Sequence, residues 1–152
     1  MIECQFQLNS KKISSFLCGA QSFPAFSGKG LHVNKLVAAC IPNQGPIPPG
    51  VYYIFDRQSG GLLGSLRDLF TGRDEWFALY AIDERIDDEM LCEKVRRGEF
   101  RLHPKGTLGR SEGCIVIEKE SDFKMLRMIL KNAKQIQIPG VDLKAYGRLT
   151  VR

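Results

Sequence analysis

One histidine and one cysteine in the second half of the chain have the residue types and spacing of a thiol nucleophile and its base. Residues 101–117 read RLHPKGTLGRSEGCIVI and contain His103 and Cys114. A free cysteine is mostly protonated at neutral pH because its pKa is about 8.5, and a neighbouring imidazole both accepts the proton and stabilises the thiolate. We therefore predict that Cys114 is a catalytic nucleophile and that His103 is its base.

The residues just before Cys114 suit a reacting thiol. Glycine at position 113 lets the backbone approach a substrate carbonyl closely, and the main-chain N–H groups of Gly113 and Cys114 are candidates for an oxyanion hole. Ser111 is a candidate to hydrogen-bond the imidazole or the substrate, with a turn-forming serine as the alternative. A Gly-Cys-Ile-Val-Ile run is also typical of a buried strand, in which Cys114 would only pack.

The order of the two residues along the chain narrows the class of enzyme. Papain-like and NlpC/P60-type peptidases place the cysteine before the histidine, yet no histidine follows Cys114. A sortase-like transpeptidase has the order found here, but it uses an arginine after the cysteine on a strand, and Arg127 falls on a predicted helix. A sortase-like enzyme and a non-catalytic β-rich binding module remain as alternatives.

Length, composition and charge set the class of protein. A chain of 152 residues with 43% hydrophobic residues fits one domain over residues 1–152. The sequence contains no apolar run of the roughly 18 residues that a membrane span needs and no signal-peptide pattern, so we expect a soluble protein made in the cytoplasm. The net charge of +5 favours anionic polymers, but the basic residues are not interleaved with aromatics, which argues against nucleic-acid binding.

The other cysteines and the second histidine are interpreted as structural. The count of five cysteines is odd and has no CxxC spacing, so the sequence predicts neither a zinc ribbon nor a complete disulfide framework, and no metal site. Cys4 and Cys18 are placed so that they could face each other across a hairpin. Each of the four cysteines other than Cys114 is interpreted as a small buried apolar residue. These structural residues are Cys4, Cys18, Cys40, Cys92 and His32.

Alternating and β-branched segments predict strands over much of the chain. Residues 2–8 and 13–18 form a predicted opening hairpin. Residues 56–75, with the glycine-rich stretch from Gly60 to Gly72, are too long for a hairpin turn and are predicted to be a capping insertion. Further strands are predicted at 23–27, 51–55, 76–82, 136–139 and 148–151.

Two segments have helical spacing, which completes the prediction of a mainly β (α+β) domain. Residues 83–97 are charged, with apolar residues at helical intervals, and predict a surface helix that ends at Gly98. Residues 121–134 predict the better helix, capped by Ser121 and with Asp122 near its positive end. Its apolar stripe, interpreted as core packing, consists of Phe123, Leu126, Ile129, Leu130 and Ala133.

Three separated segments together resemble the YkuD-like L,D-transpeptidases. His103 and the Ser111-Glu112-Gly113-Cys114 block match the histidine and the Ser/Thr-His-Gly-Cys block of that family. Residues 26–29, Phe-Ser-Gly-Lys, resemble its strand-ending Ser/Thr-Gly step, and residues 45–50, Gly-Pro-Ile-Pro-Pro-Gly, resemble its turn into a strand. Glu112 replaces the second histidine of the family and Val116 its Asn or Arg, which is similar to the L,D-transpeptidase effectors of type VI secretion systems.

The resemblance implies a YkuD-like β-sandwich or barrel with one or two peripheral helices and a thioester mechanism without metal or organic cofactor. Cys114 would attack the third residue of a tetrapeptide stem, and His103 would protonate the departing D-alanine. Water as acceptor gives L,D-carboxypeptidase action, a D-amino acid gives exchange, and a second stem gives a cross-link. Further candidates for contact with the stem peptide are Tyr52, Arg110 and Glu112, with a core tyrosine and a solvated arginine as alternatives.

The resemblance also implies where such a protein acts and what it meets. Its substrate is peptidoglycan, so we expect a toxin that is secreted and acts in the periplasm of a target bacterium. The expected partners are peptidoglycan stem peptides, a secretion-system component and a periplasmic immunity protein. Neither nucleic-acid binding nor membrane insertion is expected.

Overall fold

The fold is mainly β, as the sequence predicts. The computed structural model describes residues 1–57, 75–106 and 112–152. Within these ranges one α-helix and twelve strands are present. They are β1 (Ile2–Phe6), β2 (Ser14–Cys18), β3 (Gln21–Ser27), β4 (Gly50–Asp56), β5 (Phe77–Ala81), β6 (Glu89–Cys92), β7 (Val95–Gly98), β8 (Arg101–Pro104), β9 (Ile115–Ile117), α1 (Glu120–Asn132), β10 (Ile136–Gln137), β11 (Lys144–Ala145) and β12 (Gly147–Val151).

Eight of these strands close into a barrel in the order β1-β12-β4-β5-β8-β9-β3-β2. The opening hairpin is confirmed, since β1 and β2 pair antiparallel with Cys4 opposite Cys18. The first and last strands lie side by side in parallel, and β8 and β9 form the other parallel pair described. The remaining strands form two short ribbons, β6–β7 and β10–β11.

The barrel interior holds the core. Alternate residues of each strand face inward because successive side chains of a strand point to opposite faces. The innermost residues are apolar, and several are aromatic, which suits a small barrel filled by side chains. Fully buried examples are Phe6, Phe16, Tyr52, Ile54, Phe77, Leu102, Ile115 and Leu149.

Helix α1 contacts β8 and β9, and its apolar residues join the core cluster of the barrel. Its predicted stripe is confirmed in Phe123, Leu126 and Leu130, which are buried, and the ring of Phe123 lies edge-on to Phe77. The predicted cap is wrong: the helix begins at Glu120, so Ser121 lies within the first turn, and the N-cap Lys119 makes no side-chain cap hydrogen bond.

The predicted surface helix over residues 83–97 is wrong, because this segment contains the β6–β7 hairpin. Glu93 and Lys94 form its two-residue turn and both have positive φ, as a type I′ turn requires. The hairpin is anchored by tertiary contacts, which override the local helical spacing. Arg97, which a surface helix would expose, is buried.

Two further features are the predicted capping insertion and the capacity of the helices to span a membrane. Most of the predicted capping insertion, including Gly60 to Gly72, lies outside the described residues. No helix among the described residues is long and apolar enough to cross a membrane.

Candidate active site

His103 and Cys114 come from neighbouring parallel strands. His103 lies in β8, and Cys114 immediately precedes β9, in which Val116 is the partner of His103. Leu102 and Ile115 face the barrel core. Because side chains alternate along a strand, His103 and Cys114 share the opposite face of the sheet. The fold thus brings the predicted base and nucleophile to one surface.

Contacts with Pro104 and Trp76 help to orient the ring of His103. Its Nδ1 lies 2.8 Å from the carbonyl oxygen of Pro104. A carbonyl oxygen only accepts hydrogen bonds, so Nδ1 donates this one, and Nε2 is the basic nitrogen whenever the ring is neutral. On one side the imidazole stacks on Trp76, with ring centroids 4.1 Å apart and planes 17° from parallel. His103 is 8% exposed, so the surrounding residues restrict the orientation of the ring.

Trp76 is predicted to matter for turnover rather than for folding. Trp76→Leu removes the flat surface that orients the imidazole, and aromatic pairs contribute about 0.5–1.5 kcal/mol, so we expect kcat to fall about two- to twelvefold. Trp76→Phe keeps a stacking ring and is expected to retain most of the activity. Steady-state kinetics and melting curves of both variants test this, and an unchanged kcat in Trp76→Leu would show that the stacking has no catalytic role.

Cys114 is partly exposed, and its sulfur contacts the backbone of the segment before β8. The thiol lies 3.9 Å from the carbonyl oxygen of Glu99, and the main-chain N–H of Arg101 donates to the sulfur. Burial raises the pKa of the Cys114 thiol to about 11, with the N–H and the positive charge of Arg101 acting in the opposite direction.

This raised pKa decides how a base must act on Cys114. Burial shifts the pKa of Cys114 upward, whereas a thiolate stabilised by a neighbouring imidazole, as the sequence predicts, requires a lower pKa. At neutral pH the resting sulfur therefore keeps its proton. A nucleophile with this pKa would need a base to remove its proton as the sulfur attacks, in the manner of a serine–histidine pair. Nε2 of His103, on the side of the ring away from the Pro104 carbonyl, suits this role.

The two upstream segments of the resemblance converge on the same end of the barrel. Ser27 is paired with Ile115, so residues 28–29 run beside the approach to Cys114. The buried Ser27 Oγ accepts a 2.8 Å hydrogen bond from the N–H of Ile47 in the proline-rich turn. The N–H of Lys29 donates to the carbonyl of Gln44 at 2.9 Å. Residues 26–29, 45–50 and 112–117 thus form one contiguous framework.

Arg97 links this framework to the glycine before the nucleophile. Its guanidinium is buried and donates to the carbonyls of Ala39, Pro46 and Gly45. Gly113 has φ 114°, and a Cβ added there would come within 2.6 Å of Arg97 Nη2. Only glycine therefore fits between Arg97 and the chain at this point.

A disulfide joins the β6–β7 hairpin to the segment of residues 39–46. Cys40 and Cys92 are bonded, with Cα atoms 5.3 Å apart, which corrects the interpretation of both as packed free thiols. The bond connects the residue after Ala39 to the end of β6. Cys4 and Cys18 are free and buried, as predicted. The β6–β7 hairpin is thus tied to the 39–46 segment covalently and through Arg97.

Loss of the disulfide is predicted to destabilise the protein strongly. The bond closes a loop with a sequence separation of 52, and the chain-entropy relation gives about 4 kcal/mol for a loop of this length. We expect the Cys40→Ser/Cys92→Ser double variant to lose about that much free energy of unfolding, measured in denaturant without reductant. An equal midpoint for wild type and variant would contradict the bond, and the Cys18→Ser variant provides the control for removing a thiol.

The other predicted site residues are placed as follows. Tyr52 is fully buried, donates from its hydroxyl to the carbonyl of Pro48 at 2.7 Å, and packs against Phe100, which does not favour the predicted contact with a stem peptide. Glu112 is exposed, and its Oε1 lies 4.0 Å from Nζ of Lys29. Arg110 and Ser111 lie outside the described residues.

Two surface grooves flank the β6–β7 hairpin. One, of about 230 Å³, is next to the candidate site, because Glu99 and Glu112 line it together with Asp88 and Arg97. A larger one, of about 410 Å³, runs over Asp83 to Leu91 and includes none of the residues that contact Cys114. The carbonyl of Glu99, a residue of the smaller groove, contacts the Cys114 sulfur, so this groove reaches the edge of the candidate site.

Sequence reasoning missed Trp76, Arg97 and Arg101 as residues of this site. The period-two alternation of Arg101 with His103 is a signal that was available, because it places both on one face of a strand. Nothing local marks Arg97 as buried, and the contact of Trp76 with His103 depends on the pairing of β5 with β8.

One family model matches most of the chain. The family model of the Tlde1 domain matches residues 21–141, which include all three segments and the hairpin. No curated protein and no solved structure matches the chain significantly. The chain therefore belongs to the Tlde1 domain family of type VI secretion effectors, whose members are reported as L,D-transpeptidase-like toxins.

Proposed function

We propose that this chain is a cysteine-dependent, peptidoglycan-modifying antibacterial toxin that removes or exchanges the terminal D-alanine of stem tetrapeptides. Membership of the Tlde1 family supports the cell-wall substrate. The observation that carries the catalytic assignment is the placement of His103 and Cys114 on one face of the parallel β8–β9 pair, where the motif segments converge.

In the first step the Cys114 sulfur attacks the carbonyl carbon of the third stem residue. The thiol proton passes to Nε2 of His103 as the S–C bond forms, because the raised pKa of Cys114 keeps the resting thiol protonated. The main-chain N–H groups of Gly113 and Cys114 stabilise the oxyanion. The C–N bond then breaks, His103 returns the proton to the departing amine, and D-alanine leaves.

In the second step an acceptor releases the stem from the thioester. His103 removes a proton from the acceptor, the new bond to the carbonyl forms, and the S–C bond breaks with the proton returning to sulfur. Water yields a tripeptide, a D-amino acid yields an exchanged tetrapeptide, and the amine of a second stem yields a cross-link. All three products form from the same acyl-enzyme.

We also propose the cellular setting of this reaction. The substrate lies outside the cytoplasmic membrane, so the chain acts in the periplasm of a target bacterium after delivery by a secretion-system component. A producing cell needs protection from its siblings, and a periplasmic immunity protein that covers the Cys114 groove would give it.

Digestion of tetrapeptide-rich peptidoglycan, followed by mass spectrometry of the stem peptides, tests the proposal. Wild-type protein is expected to convert tetrapeptides to tripeptides, exchanged tetrapeptides or dimers. Stems that remain unchanged, or cleavage confined to the glycan strands, would refute it. Addition of a labelled D-amino acid distinguishes hydrolysis from exchange.

A further inference from the structure

Arg101 stands directly across from Cys114. Leu102 and Ile115 are partners in the parallel register, so the residues that precede them, Arg101 and Cys114, are also neighbours on adjacent strands. Arg101 contributes a backbone hydrogen bond to the sulfur. Its side chain lies on the face that carries His103 and Cys114, because all three alternate with residues of the core.

The guanidinium of Arg101 is fixed by Asp88. Nη1 and Nη2 donate to Oδ1 and Oδ2 at 2.8 and 2.6 Å, a bidentate geometry that fixes the plane of the charged group. The two side chains are 15% and 30% exposed, so solvent screens their charges only partly. Desolvation offsets much of the attraction within such a pair, and stability alone gives little reason for it.

The backbone between Asp88 and Arg101 is also shaped around the sulfur. Glu99 has φ 58°, a left-handed conformation that non-glycine residues seldom adopt outside functional or tightly held segments. Its N–H donates to the carbonyl of Asp88 at 3.0 Å, while its own carbonyl faces the Cys114 thiol. Asp88 thus holds both the guanidinium and the main chain beside Cys114.

We propose that Arg101 stabilises the negative charge that develops on Cys114 when His103 removes the thiol proton. The N–H acts at the sulfur directly, and the guanidinium held by Asp88 acts through its positive field. The same field acts again when the thioester breaks and the electron pair of the S–C bond returns to sulfur. This inference rests on the proposed function, because a thiol that only packs has no need of a stabilised anion.

Several charges face the sulfur, and they differ in sign. Arg101 and, when protonated, His103 favour the thiolate. Glu112, two residues before Cys114, and Asp88, just before β6, oppose it in the same direction as burial. Neutralising Arg101 should therefore raise the pKa of Cys114, whereas also neutralising Asp88 should lower it part of the way back.

The rate at which iodoacetamide alkylates Cys114 in the folded, oxidised protein tests this proposal, with peptide mapping to identify the labelled cysteine. A pKa increase of about one unit reduces the thiolate fraction about tenfold, and the greater nucleophilicity of the more basic thiolate recovers part of this. At a fixed pH below the pKa we expect Arg101→Gln to react about three- to fourfold more slowly than wild type.

Three further variants make the result specific. Arg101→Lys keeps the positive charge and is expected to stay near the wild-type rate. The Arg101→Gln/Asp88→Asn variant, which leaves no unpaired carboxylate, should fall between wild type and Arg101→Gln. Arg148 on β12 forms an ion pair with Glu3 on β1, and Arg148→Gln should not change the rate.

The outcomes separate this inference from the proposed function. Unchanged or faster alkylation in Arg101→Gln, or in the double variant should the single one fail to fold, would overturn the role of Arg101, as would equal slowing in Arg148→Gln. The alkylation needs no peptidoglycan, so a wild-type protein that leaves stem peptides intact would refute the proposed function alone.

Discussion

Cys114→Ala is expected to abolish the processing of stem peptides while leaving the fold intact. Removal of the nucleophile eliminates the covalent route, and loss of a catalytic nucleophile typically costs on the order of 10⁴-fold or more in kcat. Cys114 is partly exposed at the start of β9, so the change in the free energy of unfolding should stay within about 1 kcal/mol. Muropeptide analysis and denaturant unfolding of the same preparation measure both effects.

Cys18→Ala is the matched control for this substitution. Its thiol is also free, but it is buried in the barrel opposite Cys4 and away from the β8–β9 face. We expect this variant to retain turnover, with a modest loss of stability from the small cavity. Continued trimming of tetrapeptides by Cys114→Ala would place the nucleophile elsewhere.

Direction of the chain to the periplasm is expected to make it lethal to a Gram-negative test strain. A fused Sec signal peptide brings the protein to its proposed substrate, and swelling, lysis and loss of most colony-forming cells should follow. The same chain expressed without the fusion should be tolerated, because stem peptides lie outside the cytoplasmic membrane. Microscopy and plating under matched expression levels provide the measurement.

The variants Cys114→Ala and His103→Ala should both remove this toxicity. Each deletes one half of the proposed proton-transfer and attack chemistry, so neither can form the acyl-enzyme efficiently. Equal toxicity without the signal peptide would indicate a cytoplasmic target. Undiminished toxicity of both variants, at wild-type protein levels, would dissociate the lethal effect from this site.

Several strands and the long helix are predictable because they depend on local patterns. Alternation over residues 2–8 and 13–18 gives the opening hairpin, and the apolar stripe of residues 121–134 gives the helix. The motif segments are recognisable because each needs particular residues, such as the glycine at 113 that fits beneath Arg97. Local patterns do not, however, determine which segments meet.

The wrong helix over residues 83–97 and the raised pKa of Cys114 come from long-range contacts. The apolar spacing of residues 83–97 also fits a helix. However, the disulfide between Cys92 and Cys40 and the hydrogen bonds from Arg97 to backbone carbonyls hold this segment as a hairpin. The raised pKa of Cys114 likewise depends on burial by neighbouring elements, which the spacing of His103 and Cys114 does not reveal. Each of these features joins residues that are far apart in sequence.

The central claim is that Cys114 carries the acyl group of the stem peptide, and intact-protein mass spectrometry tests it most directly. Wild-type protein is mixed with a synthetic tetrapeptide stem, quenched in acid at early times, and mapped by proteolysis. We expect a mass gain equal to the stem without its terminal D-alanine, located on the peptide that contains Cys114 and absent from Cys114→Ala. Turnover of the tetrapeptide while Cys114 stays unmodified, at a rate that Cys114→Ala retains, would contradict the account.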